Sequence, residues 1–439
     1  MASPNYSTGA WPQVALERSV GAALLPLRLL LASPPTLFLV ALTAMLLRHP
    51  DVKFFEVDRV AFVLLVLGVL GSSAITGKSC WFVEPASWPM LGLTILAIAS
   101  VAGQPYDNQT WSLLAAKFIV PFTLFHLSAL TFNNESALRK FEMFSLLVLA
   151  YLSFTSIAFL VGAKFLIWPH FILDESLGYH ADRARGPLLQ AVANGVSLNL
   201  LGLLAFHAWR RGRLRGVGAW LLLGSLPLAV LATMTRAVWL TFAGTVAILL
   251  WKLNGGKLRN AAMALACIGA TGLTLVIILP DLGQALSERL EARGPVEFRM
   301  AVYEGSWQMF LERPLTGWGI NQMPEQLARH VSGYHEAVLY PHNTYLELLA
   351  EHGIAGLGLY LWLMWELLRL GRQSGRADSS GRLLDANFHS WWPVLLGVYW
   401  VNAVVVVMNY QFVNGLVFTM AGMLAAQHRR AARGGAVPC

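Results

Sequence analysis

Long apolar stretches separated by short polar segments dominate this chain. About twelve of them approach the roughly 20 mostly apolar residues that an α-helix needs to cross a membrane. Each is expected to be helical, because a backbone surrounded by lipid must satisfy its own hydrogen bonds. The pattern predicts an all-α polytopic membrane protein with one integral membrane domain over residues 1–439. The expected spans lie near residues 20–48, 59–77, 87–103, 111–131, 141–164, 189–208, 216–233, 236–251, 260–280, 344–368, 391–409 and 411–427.

The composition agrees with a membrane protein. The chain is 56% hydrophobic and only 13% charged, and a soluble protein this apolar could not cover its surface with polar groups. The net charge of +8 lies mainly in short loops rather than in one basic patch, so no nucleic-acid partner is predicted. The three cysteines, Cys80, Cys267 and Cys439, lack ligand spacing, and neither a disulfide framework nor a zinc site is expected. The polar start, Met1 to Pro12, predicts that the first helix serves as the insertion signal.

Basic residues in the short loops predict the orientation of the spans. With twelve spans, four basic clusters fall on the same side, which the positive-inside rule makes cytoplasmic. Both termini are then cytoplasmic, and two larger loops, near 165–188 and 281–343, are periplasmic. The second loop has more acids than arginines and no lysine. The clusters lie within Arg210–Arg215, Lys252–Arg259, Arg369–Arg382 and Arg429–Arg433.

Arginines on the predicted outer face come from three separate connections. Arg236 interrupts a long apolar stretch, Arg299 lies in the large loop, and Arg183 and Arg185 precede the span that starts near residue 189. An ionisable group in a membrane segment is costly and is a functional candidate by default. Because guanidinium groups bind phosphate through two parallel hydrogen bonds, these arginines predict a polyanionic ligand such as a lipid-linked diphosphate.

Each arginine also has an ordinary structural interpretation. Arg236 would extend its side chain to lipid phosphates at the interface. Arg299 would pair with an acid on a solvated helix face, since the spacing of Tyr303, Ser306, Trp307 and Phe310 predicts an amphipathic helix that ends before Pro314. The acids within reach are Glu297 and Glu304 for Arg299, and Asp182 for Arg183.

His342 places a titratable group at the start of a predicted membrane helix. An imidazole there can exchange a proton near neutral pH. The alternative is that His342 caps or orients its neighbours, since Pro341, Asn343 and Thr344 form a helix-start signal. Farther along, Glu351–Gly356 is interpreted as mainly structural, because its glycines permit close packing.

These motifs, in this order, resemble the O-antigen ligase and polymerase superfamily of bacterial envelope glycosyltransferases. The resemblance covers roughly residues 180–365 and is closest to the lipopolysaccharide O-antigen ligases. Thr235 departs mildly from the family's usual serine before the arginine. The motifs are Arg185-Gly186-Pro187 with Asn194-Gly195, Thr235-Arg236-Ala237-Val238-Trp239-Leu240, Arg299 with Ser306-Trp307, Pro314-Leu315-Thr316-Gly317-Trp318-Gly319, His342-Asn343-Thr344-Tyr345-Leu346, and Glu351-His352-Gly353-Ile354-Ala355-Gly356.

The resemblance implies a GT-C-like enzyme of the bacterial inner membrane with its active site in the periplasm. It would transfer O-antigen polysaccharide from undecaprenyl diphosphate to a sugar hydroxyl of lipid A–core. His342 matches the family's essential loop histidine, and Arg236 and Arg299 match its diphosphate-binding arginines. Arg183 and Arg185 match less closely.

The chemistry of this transfer suits the residues present. A diphosphate leaves as an anion, and fixed cations can neutralise its charge. The outer acids form no evident set of ligands for a metal ion; they are Glu56, Asp58, Asp174 and Glu175. The sequence therefore predicts a metal-independent site without a cofactor. His342 is expected to act as the general base for direct, inverting attack by the acceptor hydroxyl.

Three other functions remain open from the sequence. An O-antigen polymerase would use a second lipid-linked glycan as acceptor, and a protein O-oligosaccharyltransferase would use a protein. A polysaccharide transporter or flippase would carry ionisable residues deep within its spans. The main histidines inside the spans, His126 and His207, have no evident charged partner in the sequence.

Overall fold

The computed structural model describes residues 33–49, 56–77, 79–102, 104–178, 180–253, 294–331, 340–374 and 383–434. Every extended regular element in these ranges is helical, which confirms the all-α prediction. The predicted span at 260–280 and the first part of the span at 20–48 lie outside the described residues. The helices are α1 (Pro34–Leu46), α2 (Val57–Thr76), α3 (Ser87–Val101), α4 (Asn108–Thr131), α5 (Glu135–Leu160), α6 (Ala191–Arg210), α7 (Gly216–Leu231), α8 (Arg236–Leu253), α9 (Gly294–Glu312), α10 (Met323–His330), α11 (Thr344–Ser374), α12 (Ala386–Asn402) and α13 (Gln411–Gly434).

Several of these helices have the length and composition of membrane spans. Among the described residues, five are long and apolar enough to cross a bilayer, namely α2, α4, α5, α6 and much of α11. Helices α1, α3 and α7 are apolar but shorter. The count of about twelve spans and the GT-C-like arrangement remain predictions.

Contacts at one end of the bundle join segments that the sequence assigns to the cytoplasmic face. The guanidinium of Arg211 pairs with Glu142. The His207 imidazole lies 2.8 Å from the carbonyl of Leu383, and its Nε2 is 3.6 Å from a carboxylate oxygen of Asp385. The expectation that His207 has no charged partner is therefore wrong, because folding brings together residues that are far apart in the chain.

The opposite end joins segments assigned to the outer face. The backbone N–H of Ala184 donates to the carbonyl of Ala232 at 3.0 Å, and that of Thr344 donates to Ala403 at 2.8 Å. The loop carrying Arg183 and Arg185 therefore lies beside the turn before Arg236. Which compartment this end faces remains a prediction.

Helix α11 is interrupted at Gly353, where a neighbouring loop enters. Gly353 has φ 61° and ψ −161°, a conformation available essentially to glycine alone. The freed backbone groups bond to the loop, since Ile354 N–H donates to the carbonyl of Pro314 and Trp318 N–H to that of Ala350, both at 2.8 Å. As predicted, α9 ends before Pro314, and Gly353 permits close packing of the loop against α11.

Replacing Gly353 with alanine is expected to lower the free energy of unfolding by about 1–3 kcal/mol, because the new residue would have to adopt this strained conformation. A Cβ there would also lie 2.5 Å from the backbone of Leu315. Thermal unfolding in detergent measures the effect. Gly358→Ala is the matched control, since it adds a methyl group to open space in the same helix. Equal unfolding midpoints for the two variants would contradict the claim that the backbone at position 353 requires glycine.

Candidate functional site

Three helices that carry predicted site residues are anchored to one short stretch, residues 402–406 at the end of α12. Each anchoring side chain lies at most five residues after Arg236, Arg299 or His342. The stretch therefore places α8, α9 and the start of α11 around a common point. The anchors are the hydrogen bonds from Asn402 Nδ2 to Thr241 Oγ1 (3.1 Å), from Tyr303 Oη to the Val404 carbonyl (3.1 Å) and from Thr344 Oγ1 to the Val406 carbonyl (3.0 Å).

The start of α11 is capped by Asn343 rather than by His342. The side-chain oxygen of Asn343 accepts hydrogen bonds from the backbone N–H groups of Tyr345 at 2.9 Å and Leu346 at 3.2 Å. An asparagine at the N-cap position of a helix typically accepts hydrogen bonds of this kind. The imidazole of His342 forms no hydrogen bond within the described ranges. Its backbone has φ 44°, a left-handed conformation that non-glycine residues seldom adopt.

The surroundings of His342 favour the neutral form of its ring. Burial lowers the pKa of His342 below its ordinary value, and the positive charge of Arg299 lowers it further. A neutral imidazole has a free nitrogen lone pair at neutral pH, which is what a general base requires. Helix α9 therefore brings its arginine close enough to add to the effect of burial on this pKa.

Arg236 and Arg299 have no ion-pair partner in the part of the chain that the structure describes. Arg236 is exposed at the start of α8, and Arg299 is half-buried in α9. The alternative pairing of Arg299 with Glu297 or Glu304 is not formed. Among the described residues, no acid therefore competes with an anion for either guanidinium group.

Arg183 and Arg185 are placed differently. The buried guanidinium of Arg185 donates to three backbone carbonyls of the preceding loop, those of Ile172, Asp174 and Leu177. Arg183 has its Nε 3.6 Å from a carboxylate oxygen of Asp182, which is the alternative that the sequence left open. In this structure Arg185 therefore holds its own loop in place.

A buried ionic cluster adjoins the site, and the sequence patterns did not predict it. The ammonium of Lys117 lies 2.7 Å from Glu347 and 2.8 Å from Glu351, two acids one turn apart in α11. The hydroxyl of Tyr340 donates to Glu347 at 2.7 Å, and its ring centroid is 6.2 Å from that of His342. The cluster therefore ties the segment before His342 to α4.

One signal for this cluster was present in the sequence. Lys117 is the only charged residue in the predicted span 111–131, and it falls in a π-helical turn, Ala115–Ile119. Such turns recur at functional sites. Within the described ranges, no group of three or more histidine, cysteine or acidic side chains is arranged to hold a metal ion.

Comparison with known families supports the resemblance found in the sequence. Residues 217–361 match the family model described as O-antigen ligase, which is about one third of the 439 residues. The match begins in α7 and ends in α11, so it includes Arg236, Arg299 and His342 but not Arg183 or Arg185. Among curated proteins there is no significant match. The recognised resemblance to the O-antigen ligase family is thus confirmed over this range.

Proposed function

We propose that this protein is an O-antigen ligase that transfers O-antigen polysaccharide from undecaprenyl diphosphate to a sugar hydroxyl of lipid A–core. The observation that carries the proposal is the imidazole of His342. Asn343 caps the helix in its place, and burial together with Arg299 lowers the pKa of His342, which favours the form that can accept a proton. The reaction would take place at the periplasmic face of the bacterial inner membrane. The family match over α7 to α11 supports the same reaction class.

The donor half of the site consists of Arg236 and Arg299. As the bond from the anomeric carbon to the diphosphate breaks, negative charge grows on the leaving oxygen. The two guanidinium groups offset that charge without a metal ion, each contributing about 3–4 kcal/mol by analogy with the loss of one oxyanion-hole donor. Arg185 serves this half indirectly, because it shapes the loop that lies beside the turn before Arg236.

The acceptor half consists of His342. Its imidazole takes the proton of the acceptor hydroxyl while the hydroxyl oxygen bonds to the anomeric carbon. General-base help of this kind is worth about 10²–10⁴-fold in rate. Because one displacement occurs from the face opposite the diphosphate, the configuration at the anomeric carbon inverts.

The pH profile of kcat/KM is expected to fall on the acid side as His342 becomes protonated. That limb should lie below the ordinary histidine value of 6.5, since burial and Arg299 both lower the pKa. Arg299→Gln removes one cause, so its limb should move to higher pH even where the overall rate is much lower. Arg329→Gln, which removes an exposed arginine of α10, is the control. Superimposable limbs in wild type and Arg299→Gln would contradict the assignment.

A reconstituted transfer assay tests the function itself. Purified protein in liposomes is given undecaprenyl-diphosphate glycan together with either lipid A–core or further lipid-linked glycan. A ligase yields a lipopolysaccharide ladder on lipid A–core without further growth of the donor chain. Growth of the donor chain instead would establish a polymerase, and transfer to neither acceptor would refute the proposal.

The buried cluster of Lys117, Glu347 and Glu351 is the feature that could support the transporter alternative. Ionisable residues inside spans are what that function requires. Here, however, Lys117 contacts both carboxylates, and the acids lie within two turns of the start of α11. The cluster is therefore interpreted as an anchor for the site. Substrate movement across the liposome membrane without a glycan product would instead favour transport.

A further inference from the structure

A cavity of about 370 Å³ opens at the same end of the bundle as the candidate site. It lies between the end of α1, the loop before α6 and the connection from α12 to α13. Three side-chain amides line it, those of Gln190, Asn409 and Gln411, and we call it the amide cavity. Tyr410 and Arg48 also contribute to its wall.

The three amides have no hydrogen-bond partners within the described ranges. Gln190 occupies the N-cap position of α6, yet its side chain makes no capping bond. The side-chain oxygen of Gln411 is buried without a partner. Asn409 bonds only through its backbone N–H, to the carbonyl of Val407 at 3.0 Å. Buried polar groups are nearly always hydrogen-bonded, so the buried oxygen of Gln411, beside two half-buried amides on the same wall, indicates a polar ligand.

The amide cavity is formed in part by residues that follow the anchoring stretch of α11 in the chain. Asn409 and Tyr410 closely follow the stretch 402–406, to which α11 is anchored. Burial and the charge of Glu347 raise the pKa of Tyr340 above its ordinary value, and Tyr410 adds a small contribution. The ring of Tyr340 in turn contacts that of His342. The wall of the cavity is therefore linked to the segment that carries the proposed base through the stretch 402–406.

The lining chemistry fits a sugar. Each amide offers two donors and one acceptor, which matches hydroxyl groups that both donate and accept. Tyr410 adds an aromatic ring, and about 370 Å³ lies within the roughly 300–1,000 Å³ typical of small-ligand pockets. Arg48 is 3.7 Å from the carboxylate of Asp58, so the wall's charge is offset. A neutral sugar suits this wall better than a phosphate does.

We infer that the amide cavity is a glycan subsite, which holds a sugar unit of either the acceptor or the donor during the proposed transfer. This inference rests on the proposed function, but sugar binding is measurable without turnover. The test uses the full chain carrying His342→Asn, which slows transfer, with glycan probes that carry no lipid diphosphate and so cannot act as donors. The probes are core oligosaccharide freed of lipid A and O-antigen polysaccharide freed of its lipid carrier, each titrated calorimetrically.

Gln411→Leu, added to that chain, keeps the side-chain volume but removes the amide. It is expected to weaken binding of one of the two glycans about tenfold, the scale of one lost hydrogen bond. Gln109→Leu is the matched control, because it removes an exposed amide at the same end of the bundle, outside the cavity. Its dissociation constants should equal those of the parent.

The two probes identify the source of the sugar. Weaker binding of core oligosaccharide assigns the cavity to the acceptor, and weaker binding of O-antigen polysaccharide assigns it to the donor. Gln190→Leu, from a different connection, repeats the measurement if thermal unfolding shows that Gln411→Leu is destabilised. Unchanged affinity for both glycans in these variants, or no binding by the parent, would overturn the inference. Binding without any transfer by wild type would refute the ligase proposal alone.

Discussion

Replacing His342 with asparagine is expected to lower the rate of glycan transfer by about 10²–10⁴-fold, the usual worth of a positioned general base. Asparagine is the sharper substitution, because it tolerates the left-handed backbone at this position better than alanine does. The fold should therefore survive while the proton acceptor is lost. The measurement is kcat for transfer to lipid A–core in liposomes, with thermal unfolding of each variant.

Asn343→Ala is the control that separates catalysis from capping. It removes the N-cap of α11 and is expected to cost about 1 kcal/mol of stability, with a far smaller loss of turnover. His342→Ala should lose activity as His342→Asn does. Near-normal transfer by a folded His342→Asn protein would remove the histidine from the mechanism.

Replacing Arg236 with lysine is expected to lower transfer by about 100-fold or more, although the positive charge is kept. The reason is geometric, since a lysine ammonium cannot form the two parallel hydrogen bonds that a guanidinium makes with phosphate oxygens. Most of the loss should appear in kcat, because negative charge on the leaving diphosphate grows in the transition state. Initial rates over a range of donor concentrations give kcat and KM separately.

Arg329→Lys provides the comparison, because Arg329 is exposed and already pairs with Glu325 in α10. It should transfer at the wild-type rate. Wild-type turnover by Arg236→Lys would contradict bidentate phosphate binding. Arg236 would then contribute only a positive charge or a contact with the membrane interface. Arg299→Lys is expected to resemble Arg236→Lys, since neither guanidinium has an ion-pair partner within the described ranges.

The apolar helices and the candidate site residues were largely predictable from the sequence. Apolar runs encode α2, α4 and α6 locally, because lipid admits only backbones that satisfy their own hydrogen bonds. The order of motifs identified Arg236, Arg299 and His342, and a family match covers all three. The turn after α9 was predictable from Pro314, which ends the helix, and from Gly317 and Gly319, which follow it.

The roles of individual polar side chains were harder to predict, as Arg185 and Asn343 illustrate. Arginine is a residue type that often binds phosphate, yet the guanidinium of Arg185 is buried and donates to three carbonyls of its own loop. Asn343 and His342 are neighbours in one start signal, and only the folded geometry shows which of them caps α11. Hydrogen bonding depends on direction and distance, which residue type alone does not encode.

By itself the sequence determined that this protein is a helical, membrane-type chain, which residues are candidates for its chemistry, and which family it resembles. These properties follow from composition and local order. Only the tertiary structure decided that Lys117 meets Glu347 across 230 positions of the chain, that one stretch at the end of α12 gathers three helices, and that three amides face a common cavity. Such arrangements arise from packing between distant segments, where burying a polar group is costly unless another group or a ligand pairs with it.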